Sequence, residues 1–344
     1  MKEKGEERVL FRVDASRQAG RGHLSRCLGL AEAFVRKRIT PIFVVPQPDP
    51  VIRRILKQYG WRVEGISDVA AKTPASLVRA WRQEKIKFIV VDTYTASEAY
   101  FKALRKNTGA LIVQFDDLGQ RRFYSSVVIS TRSSRPSILP EGIRWLSGPS
   151  YIPLPPAVRR LKLGHPHPKT SKPILLVSLG YSRAALKVSG LFRALEGFPV
   201  EVHIASDAVL ADAMRRKFPE SSKKWTFHIN AAMPPLYEKA WLAICAGGMT
   251  ALELAHWGVP MLGVQLAKNQ AGNLSQLSRT GCLSCLQKSE LRDPRRLRTR
   301  ILRFITDKSR LQRMAQAGRR LVDGRGADRA VKEILSLTEQ YSWN

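Results

Sequence analysis

The stretch VLFRVDASRQAGRGHLSRCLGLAEAFVR, residues 9–36, decides the fold that the sequence predicts. Its first residues are apolar and suit a buried strand, whereas its second half repeats apolar residues near helical spacing. Gly20, Gly22 and His23 lie between these two segments. Glycines let a turn bring its backbone close to a ligand, and free amides at a helix start favour an anion such as a diphosphate. The stretch therefore predicts a strand, a ligand-binding turn and a helix.

His23 is the side chain of this turn that can exchange a proton near neutral pH. It can act as a general acid or base if the turn forms part of an active site. The alternative is a purely structural turn, in which the glycines close the loop and His23 caps the helix or faces solvent. A pair of glycines alone favours this structural alternative.

Apolar segments and amphipathic segments alternate along the rest of the chain, which predicts α/β domains with mainly parallel sheets. From Leu291 to about Leu337 the pattern is that of basic amphipathic helices, interrupted at residues 324–328. Elsewhere we predict strands over residues 40–45, 61–66, 87–92, 110–115, 173–180, 200–205 and 225–229, and helices over residues 51–59, 77–84, 97–106, 188–195 and 210–218.

A chain of 344 residues is long enough for two domains that each bury a core. A proline-rich stretch over residues 153–173, which also contains His165 and His167, separates the two predicted domains. Two histidines on such a loop lack the further ligands that a metal requires. We place an N-terminal domain at residues 1–155, a linker at 156–172, a C-terminal domain at 173–330 and a C-terminal helix and tail at 331–344.

Polar residues follow two predicted buried strands, with DTY at residues 92–94 and DDL at residues 116–118. Ligands bind at the carboxyl ends of strands in doubly wound sheets, so Tyr94 is a candidate substrate contact. The alternative for Tyr94 is a half-buried aromatic that packs on the next helix. Asp116 and Asp117 could form a metal site or an acid/base pair, but adjacent carboxylates more often cap the following turn, which is the expected role here.

A second glycine turn, AGGMT at residues 246–250, follows an apolar strand and opens a helix. The amides of this turn can hold a diphosphate, and a threonine there can add a hydroxyl donor. Glu253 lies one turn into the helix, where the helix dipole also favours a carboxylate. The candidate binding residues of the turn are Gly247, Gly248, Met249 and Thr250.

The net charge is unusual, because 58 Lys and Arg residues against 28 Asp and Glu residues give a formal +30. Such a charge attracts polyanions. Basic residues are dense at 292–303 and 313–320, where they alternate with apolar positions as on solvated helix faces. The sequence contains no nucleic-acid-binding module, so a specific nucleic acid is not an expected partner. An anionic membrane surface is better motivated.

The apolar runs are shorter than the eighteen or so residues that span a membrane, and the charged start lacks the apolar segment of a signal peptide. We therefore expect a cytoplasmic monomer, with peripheral contact at the inner membrane surface as an option. Four cysteines are too few for a disulfide framework, and Cys282 with Cys285 lacks the second pair that a zinc site requires.

The string R-x-D-A-S-x-x-x-G-x-G-H-x-x-R-C-L-x-L-A-E, residues 12–32, resembles the amino-terminal signature of a hydrolase family. The family comprises the UDP-2,4-diacetamido-2,4,6-trideoxy-β-L-altropyranose hydrolases of pseudaminic acid biosynthesis and their spore-coat polysaccharide relatives. DTY, DDL and the segment LSGPSYIPLPP, residues 146–156, resemble further segments of the family. Its fold is similar to that of MurG. The resemblance therefore implies an α/β protein with two Rossmann-like domains facing across a cleft, the GT-B-like fold class.

The succession G-G-x-T-x-x-E, G-x-P and N-Q, residues 247–270, resembles nucleotide-sugar enzymes of the GT-B kind. The resemblance implies that Glu253 accepts hydrogen bonds from ribose hydroxyls and that Asn269 and Gln270 lie near the pyrophosphate and sugar. It also places the loop of residues 230–233 beside the uracil. At residues 181–184 the chain has YSRA where the family has a second glycine and S-D-P, which can remodel the sugar pocket.

The activity that the resemblance implies is hydrolysis of a UDP-activated diacetamido sugar to UDP and free sugar, without a metal or cofactor. His23 would act as general base toward water, while Asp14 and Arg26 would orient the turn. The alternative is a glycosyltransferase in which His23 deprotonates a hydroxyl of a membrane-associated or glycan acceptor. The high charge favours this alternative, because a lipid-phosphate acceptor needs a basic docking face. A non-catalytic sugar-nucleotide or polyanion-binding protein is a third hypothesis, against which His23 in its loop argues.

Overall fold

The computed structural model describes residues 7–15, 22–118, 122–131, 139–159, 172–180 and 183–340. The chain divides into two compact units, Met1–Pro156 with Gly324–Asn344 and Ala157–Asp323. Among the described residues, each unit contains one sheet in which the paired strands are parallel. The predicted fold class, with two parallel-sheet α/β domains, is confirmed.

The sheet of the first unit has the order β3-β2-β1-β4-β5-β6-β7. Strand order reverses between β1 and β4, which makes their carboxyl ends the topological switch point of this sheet. Its strands are β1 Glu7–Val13, β2 Ile39–Pro46, β3 Arg62–Ile66, β4 Ile86–Asp92, β5 Leu111–Phe115, β6 Val127–Ser130 and β7 Arg144–Ser147. The helices of this unit that precede the second unit in the sequence are α1 Gly22–Val35, α2 Pro50–Gln58, α3 Asp68–Ala71, α4 Ala75–Gln83 and α5 Glu98–Asn107.

The strands of this unit form from apolar runs, and helices α2 and α5 begin at residues whose side chains cap them. Strands β4 and β5 are almost wholly buried, as expected for a parallel sheet covered on both faces. Asp49 accepts a hydrogen bond from the amide of Ile52 and begins α2, and Ser97 begins α5 in the same way. The sequence analysis missed β6 and β7, because four-residue strands are too short for a periodic pattern to reveal.

The sheet of the second unit has the order β10-β9-β8-β11-β12-β13, with its switch point between β8 and β11. The predicted helix over residues 188–195 is confirmed as α7, Ser189–Ala194, and a 3-10 turn, Arg183–Val188, precedes it. Its strands are β8 Ile174–Ser178, β9 Glu201–Ser206, β10 Trp225–Ile229, β11 Leu242–Ala246, β12 Met261–Val264 and β13 Leu283–Cys285. Its helices are α6 Pro156–Arg159, α7 Ser189–Ala194, α8 Ala208–Lys217, α9 Pro219–Ser222, α10 Pro234–Lys239, α11 Met249–Trp257, α12 Ala271–Arg279, α13 Lys288–Arg292, α14 Pro294–Thr306 and α15 Lys308–Leu321.

The last helix, α16 Gly326–Gln340, belongs to the first unit. The predicted interruption at residues 324–328 is therefore too long, because Gly326 already begins the helix. A glycine is required there, since a Cβ atom would collide with the backbone of Ile152. Glu333 of α16 forms an ion pair with Arg144 at 3.1 Å, which fixes the helix to β7.

Candidate functional site

The first candidate site lies at the switch point of the first unit. His23 and Arg26 come from the first turns of α1, and Asp92 is the last residue of β4. Asp117 follows β5, which lies next to β4 in the sheet. These side chains are distant in sequence, but the parallel order of the strands brings their carboxyl ends to one edge. We call this group the switch-point cluster.

Asp92 is the centre of the switch-point cluster and is fully buried. His23 Nδ1 lies 2.5 Å from Asp92 Oδ1. Arg26 donates from Nε to Asp92 Oδ2 at 2.6 Å and from Nη2 to Asp92 Oδ1 at 2.7 Å. The thiol of Cys27 lies 3.5 Å from Asp92 Oδ2. One carboxylate therefore fixes both the imidazole and the guanidinium, the latter in the bidentate geometry that arginine favours.

Asp117 holds the other side of Arg26. Its Oδ2 accepts a hydrogen bond from Arg26 Nη1 at 2.8 Å and one from the hydroxyl of Tyr94 at 3.0 Å. Its Oδ1 accepts from the hydroxyl of Thr131 at 2.9 Å. Tyr94 is 42% exposed, and its ring meets the His23 ring edge to face with centroids 4.6 Å apart. Tyr94 thus lies where the buried cluster reaches the surface.

The acidic groups of the cluster are held ionised. Burial alone would raise the pKa of Asp92, but the charge of Arg26 and the hydrogen bonds from Arg26 and His23 lower it well below its usual range. Burial likewise opposes ionisation of Asp117, and Arg26 outweighs it, so that the pKa of Asp117 is also lowered. Burial lowers the pKa of Arg26, yet the two aspartates raise it well above its usual value. The guanidinium therefore balances charge that would be costly to bury alone.

The hydrogen bonds fix the tautomer of His23. Because Asp92 is ionised, the 2.5 Å contact requires a proton on His23 Nδ1, which donates to the carboxylate. In neutral imidazole the lone pair is then at Nε2. A carboxylate at Nδ1 also stabilises the imidazolium that forms when Nε2 takes a proton. The arrangement is suited to deprotonation of a hydroxyl group.

Asp14 is part of a neighbouring group instead of the switch-point cluster. It receives a hydrogen bond from Arg12 Nη1 at 2.8 Å and another from the hydroxyl of Thr93. Its backbone amide donates to the carbonyl of Asp92 at 3.0 Å, so Asp14 contacts the strand that carries Asp92. Gly22 is the first residue of α1. Gly20 lies outside the described residues.

The sequence analysis left Asp92 and Asp117 out of the candidate site residues. The expected turn-capping role is seen for Asp116, whose Oδ1 accepts from the amide of Leu118 at 3.4 Å. It is wrong for Asp117, which binds Arg26, Tyr94 and Thr131 instead. The signal that could have found Asp92 and Asp117 was present, since each lies at or just beyond the end of a buried strand.

The second candidate site is the glycine turn at the end of β11, beside the switch point of the second sheet. Gly247 is packed tightly, since a Cβ atom there would lie 2.5 Å from Leu274 Cγ and 2.9 Å from the carbonyl oxygen of Gln270. Gly248 differs, because a Cβ atom there would meet open space. Gly248 is also the N-cap of α11 and carries no capping side chain. The backbone at Gly248 is therefore accessible to an anionic ligand at the helix start.

Helix α11 carries the other predicted residues of this site. Met249 and Thr250 form its first turn and are half-buried. Glu253, one turn further, is buried and accepts a hydrogen bond from the hydroxyl of Tyr237 at 2.6 Å. Burial and the charge of Glu253 raise the pKa of Tyr237 well above its usual value, so the phenol stays protonated and donates. Tyr237 therefore orients the carboxylate to which the sequence analysis assigned ribose binding.

Asn269 and Gln270 lie on a 3-10 turn, Lys268–Gln270, after β12. The side-chain oxygen of Gln270 accepts from the amide of Leu266 at 2.8 Å, so Gln270 stabilises its own loop. The sequence analysis missed Asn273, which donates to the carbonyl of Gly247 at 2.9 Å. Asn273 is buried, and its Oδ1 has no hydrogen-bond partner within the described part of the chain. Asn273 thus fixes the glycine turn from behind.

Two α/β units with parallel sheets, each with polar or glycine-rich residues at its switch point, have the architecture of the GT-B class. Residues 180–331, which include most of the second unit and the start of α16, match the model of the glycosyltransferase family 28 C-terminal domain.

Two further comparisons concern whole chains. SpsG of Bacillus subtilis (strain 168), a spore coat polysaccharide biosynthesis protein, is 25% identical over 338 residues, which are 95% of this chain and 98% of SpsG. The crystal structure of Acinetobacter baumannii MurG matches with a TM-score of 0.65 and 18% identity, over 96% of this chain and 99% of MurG. The S. aureus MnaA–UDP structure matches with a TM-score of 0.69 and 12% identity, over 98% of both chains. The expected similarity to the MurG fold is confirmed.

Proposed function

We propose that the protein is a glycosyltransferase that moves a sugar from a UDP-sugar to a hydroxyl group of an acceptor. The observation that carries this proposal is the His23–Asp92 pair, which holds the imidazole in the tautomer that accepts a proton at Nε2. The match to a glycosyltransferase family over residues 180–331 supports transfer. The UDP of the MnaA structure supports the nucleotide, and similarity to SpsG supports a polysaccharide product.

In the proposed step the acceptor oxygen attacks the anomeric carbon from the side opposite the diphosphate. The acceptor proton passes to His23 Nε2, and Asp92 stabilises the imidazolium. The bond between the anomeric carbon and the UDP oxygen breaks, and UDP leaves with the electron pair. A single displacement of this kind inverts the anomeric configuration.

The second unit is proposed to bind the nucleotide. The amides at the start of α11, beside Gly248, would stabilise the negative charge that develops on the departing diphosphate. Thr250 and Asn269 would add polar contacts to the phosphates or sugar. Glu253, oriented by Tyr237 at 2.6 Å, would accept hydrogen bonds from the ribose hydroxyls.

Hydrolysis of the UDP-diacetamido sugar is the second candidate function. The observation that favours it is the composition of the switch-point cluster. Arg26, Tyr94 and Asp117 belong to the segments that resemble the hydrolase family, and all contact His23 or each other. In that reaction water replaces the acceptor hydroxyl, and the same imidazole takes its proton.

The deciding experiment is incubation with UDP-2,4-diacetamido-2,4,6-trideoxy-β-L-altropyranose and other UDP-acetamido sugars, followed by ³¹P and ¹H NMR. The transferase would be supported by two results together. The protein should bind UDP without releasing free sugar, and addition of a lipid-phosphate or glycan acceptor should release UDP and form a glycoside with inverted anomeric configuration. Stoichiometric release without an acceptor that depends on His23 would establish hydrolysis instead. Failure to bind UDP, or unchanged turnover in His23→Ala, would overturn both candidates.

A further inference from the structure

The positive charge of the second unit is concentrated in helices α13, α14 and α15. Between residues 288 and 320 the sequence has 12 Lys and Arg residues but only 3 Asp and Glu residues. The apolar side chains of α14 and α15, such as Leu297, Ile301 and Leu311, are buried in the core of the unit. The basic side chains therefore cover the outer sides of these helices.

The three acidic residues of this segment are already engaged. Asp293 caps α14 by accepting a hydrogen bond from the backbone amide of Arg296 at 3.1 Å. Asp307 caps α15 by accepting one from the backbone amide of Arg310 at 2.9 Å. Glu290 accepts from the amide of Gln287 at 2.8 Å and also pairs with Arg300. These three carboxylates keep their charges, but they balance only three of the twelve cations of the segment.

Six exposed cations define what we call the basic face. Within the described part of the chain, none of them forms an ion pair with an acidic side chain. The guanidinium of Arg310 lies 3.8 Å from the ring centre of Phe304. This contact holds the start of α15 against α14, so that the basic side chains of the two helices lie near each other. The basic face comprises Arg292, Arg295, Arg296, Arg303, Lys308 and Arg313.

Some exposed cations of the first unit have acidic partners, whereas Arg53, Arg54 and Lys57 of α2 form no ion pair with an acidic side chain of the described residues. Arg62 pairs with both Glu64 and Glu84 at 2.5 Å, and Lys87 pairs with Glu7 at 2.5 Å. Such pairs reduce the long-range potential of a surface, whereas a group of unpaired cations produces a field that attracts anionic partners.

We propose that the basic face docks the protein onto the anionic headgroups of a lipid bilayer, by electrostatic attraction and without insertion. No large apolar side chain is exposed on α13–α15 within the described residues. A protein partner would need an apolar interface core, and single-stranded nucleic acid would need exposed aromatic rings for stacking. A charged lipid surface requires only clustered cations. None of the described helices has the length and apolarity needed to cross the bilayer.

The experiment that tests this inference is sedimentation of the full-length protein with phosphatidylglycerol–phosphatidylcholine vesicles and with phosphatidylcholine vesicles. We expect binding to the anionic vesicles only. Raising the salt concentration from about 0.1 M to about 1 M should release the protein, because the Debye length falls from about 10 Å to about 3 Å. Equal binding to both vesicle types, or binding that survives high salt, would overturn the proposal.

Matched variants locate the binding surface. R295E/R296E/R303Q should lower the vesicle partition coefficient by at least roughly a hundredfold, since each of the three lost cations contributes about a factor of five and the two new carboxylates add repulsion. R53E/R54E/K57Q makes the same change of charge on exposed positions of α2 in the first unit and should bind within about threefold of wild type. An equal loss in both variants would show that net charge, not the basic face, is responsible.

Two further measurements complete the test. R295K/R296K/R303K keeps the charge and should bind like wild type, so that a fold defect in the charge-reversed variant is distinguished from lost attraction. Near-ultraviolet circular dichroism should be the same for all variants. If random-sequence duplex DNA binds more tightly than anionic vesicles at equal salt and is lost in R295E/R296E/R303Q, the partner is nucleic acid and the lipid proposal is wrong.

Discussion

The switch points of the two sheets occupy the same topological position but offer different chemistry. In the first unit, charged side chains from α1, β4 and the loop after β5 converge on Asp92 and Arg26. In the second unit the corresponding turn offers backbone at Gly248, supported by Asn273 and followed by Glu253. The fold determines where a ligand can bind, whereas the local residues determine whether the site transfers protons or holds an anion.

The two sites are also stabilised in different ways. The switch-point cluster is a closed set of buried charges, in which Arg26 neutralises two carboxylates that could not remain ionised without it. The glycine turn depends on close packing, because Gly247 lies against Leu274 and the backbone of Gln270. Substitutions in the first site should therefore leave buried charges unpaired, whereas substitutions in the second should cause steric overlap.

The largest effect is expected for His23→Ala. Loss of the proton acceptor should lower turnover by about 10² to 10⁴, because that is the usual contribution of a general base. UDP binding, measured by isothermal titration calorimetry, should remain close to wild type. His203→Ala, which changes a histidine on β9 of the second unit, is the control and should retain turnover. A normal rate in His23→Ala would show that the switch-point cluster does not supply the general base.

The next effect concerns stability. Arg26→Met should lower the free energy of unfolding by about 3–5 kcal/mol, because it leaves Asp92 and Asp117 buried without their cation. Lys223→Met is the control, since Lys223 pairs with Glu220 and both side chains are exposed, so that its loss should cost about 0–1 kcal/mol. Urea unfolding measures both values. Similar losses in the two variants would contradict the description of a closed buried cluster.

A smaller and more selective effect is expected at the glycine turn. Gly247→Ala should cost about 1–3 kcal/mol of stability, because its Cβ atom would overlap Leu274 and the Gln270 carbonyl. Gly248→Ala should leave stability nearly unchanged, since its Cβ atom meets open space. It should nevertheless weaken UDP binding, because the methyl group would occupy the space before the start of α11. Unchanged UDP affinity in Gly248→Ala would place the nucleotide elsewhere.

The smallest effect is the acid dependence of stability. The folded-state pKa values of Asp92 and Asp117 lie below the ordinary value of 3.8, so their contribution is complete above about pH 5 and falls as pH decreases through 4. Asp92→Asn should therefore show a shallower fall in unfolding free energy between about pH 5 and pH 3 than wild type. An equal or steeper fall in this variant would mean that Asp92 does not carry the depressed pKa.

Much of this organisation could be predicted from local patterns. Continuous apolar runs identified β4, β5 and β11, because parallel strands covered on both faces need apolar residues throughout. Glycines before a helix drew attention to His23 and to the turn at Gly247, but a functional role of His23 was predicted from the resemblance of residues 12–32 to a hydrolase family, not from the glycines alone. The strands β6 and β7 were missed, because four residues do not establish a period.

The partners of the site residues could not be predicted in the same way. Asp117 is 91 residues from Arg26, and Tyr237 is 16 residues from Glu253. No periodicity of the chain links such pairs. Asn273 was missed because its role is to bind the carbonyl groups of Gly247 and Gly248, and this contact exists only after α12 packs against the turn.

The sequence by itself determined the parallel α/β class, the position of the histidine turn and glycine turn, and the excess of positive charge. These features depend on the order of residues along one strand, one helix or one turn. Only the tertiary structure decided that Asp92 and Asp117 share Arg26, that His23 Nδ1 lies 2.5 Å from Asp92 Oδ1, and that a Cβ atom would meet open space at Gly248 but not at Gly247. The reason is that strand order and helix packing set these contacts, and both join segments far apart in the chain.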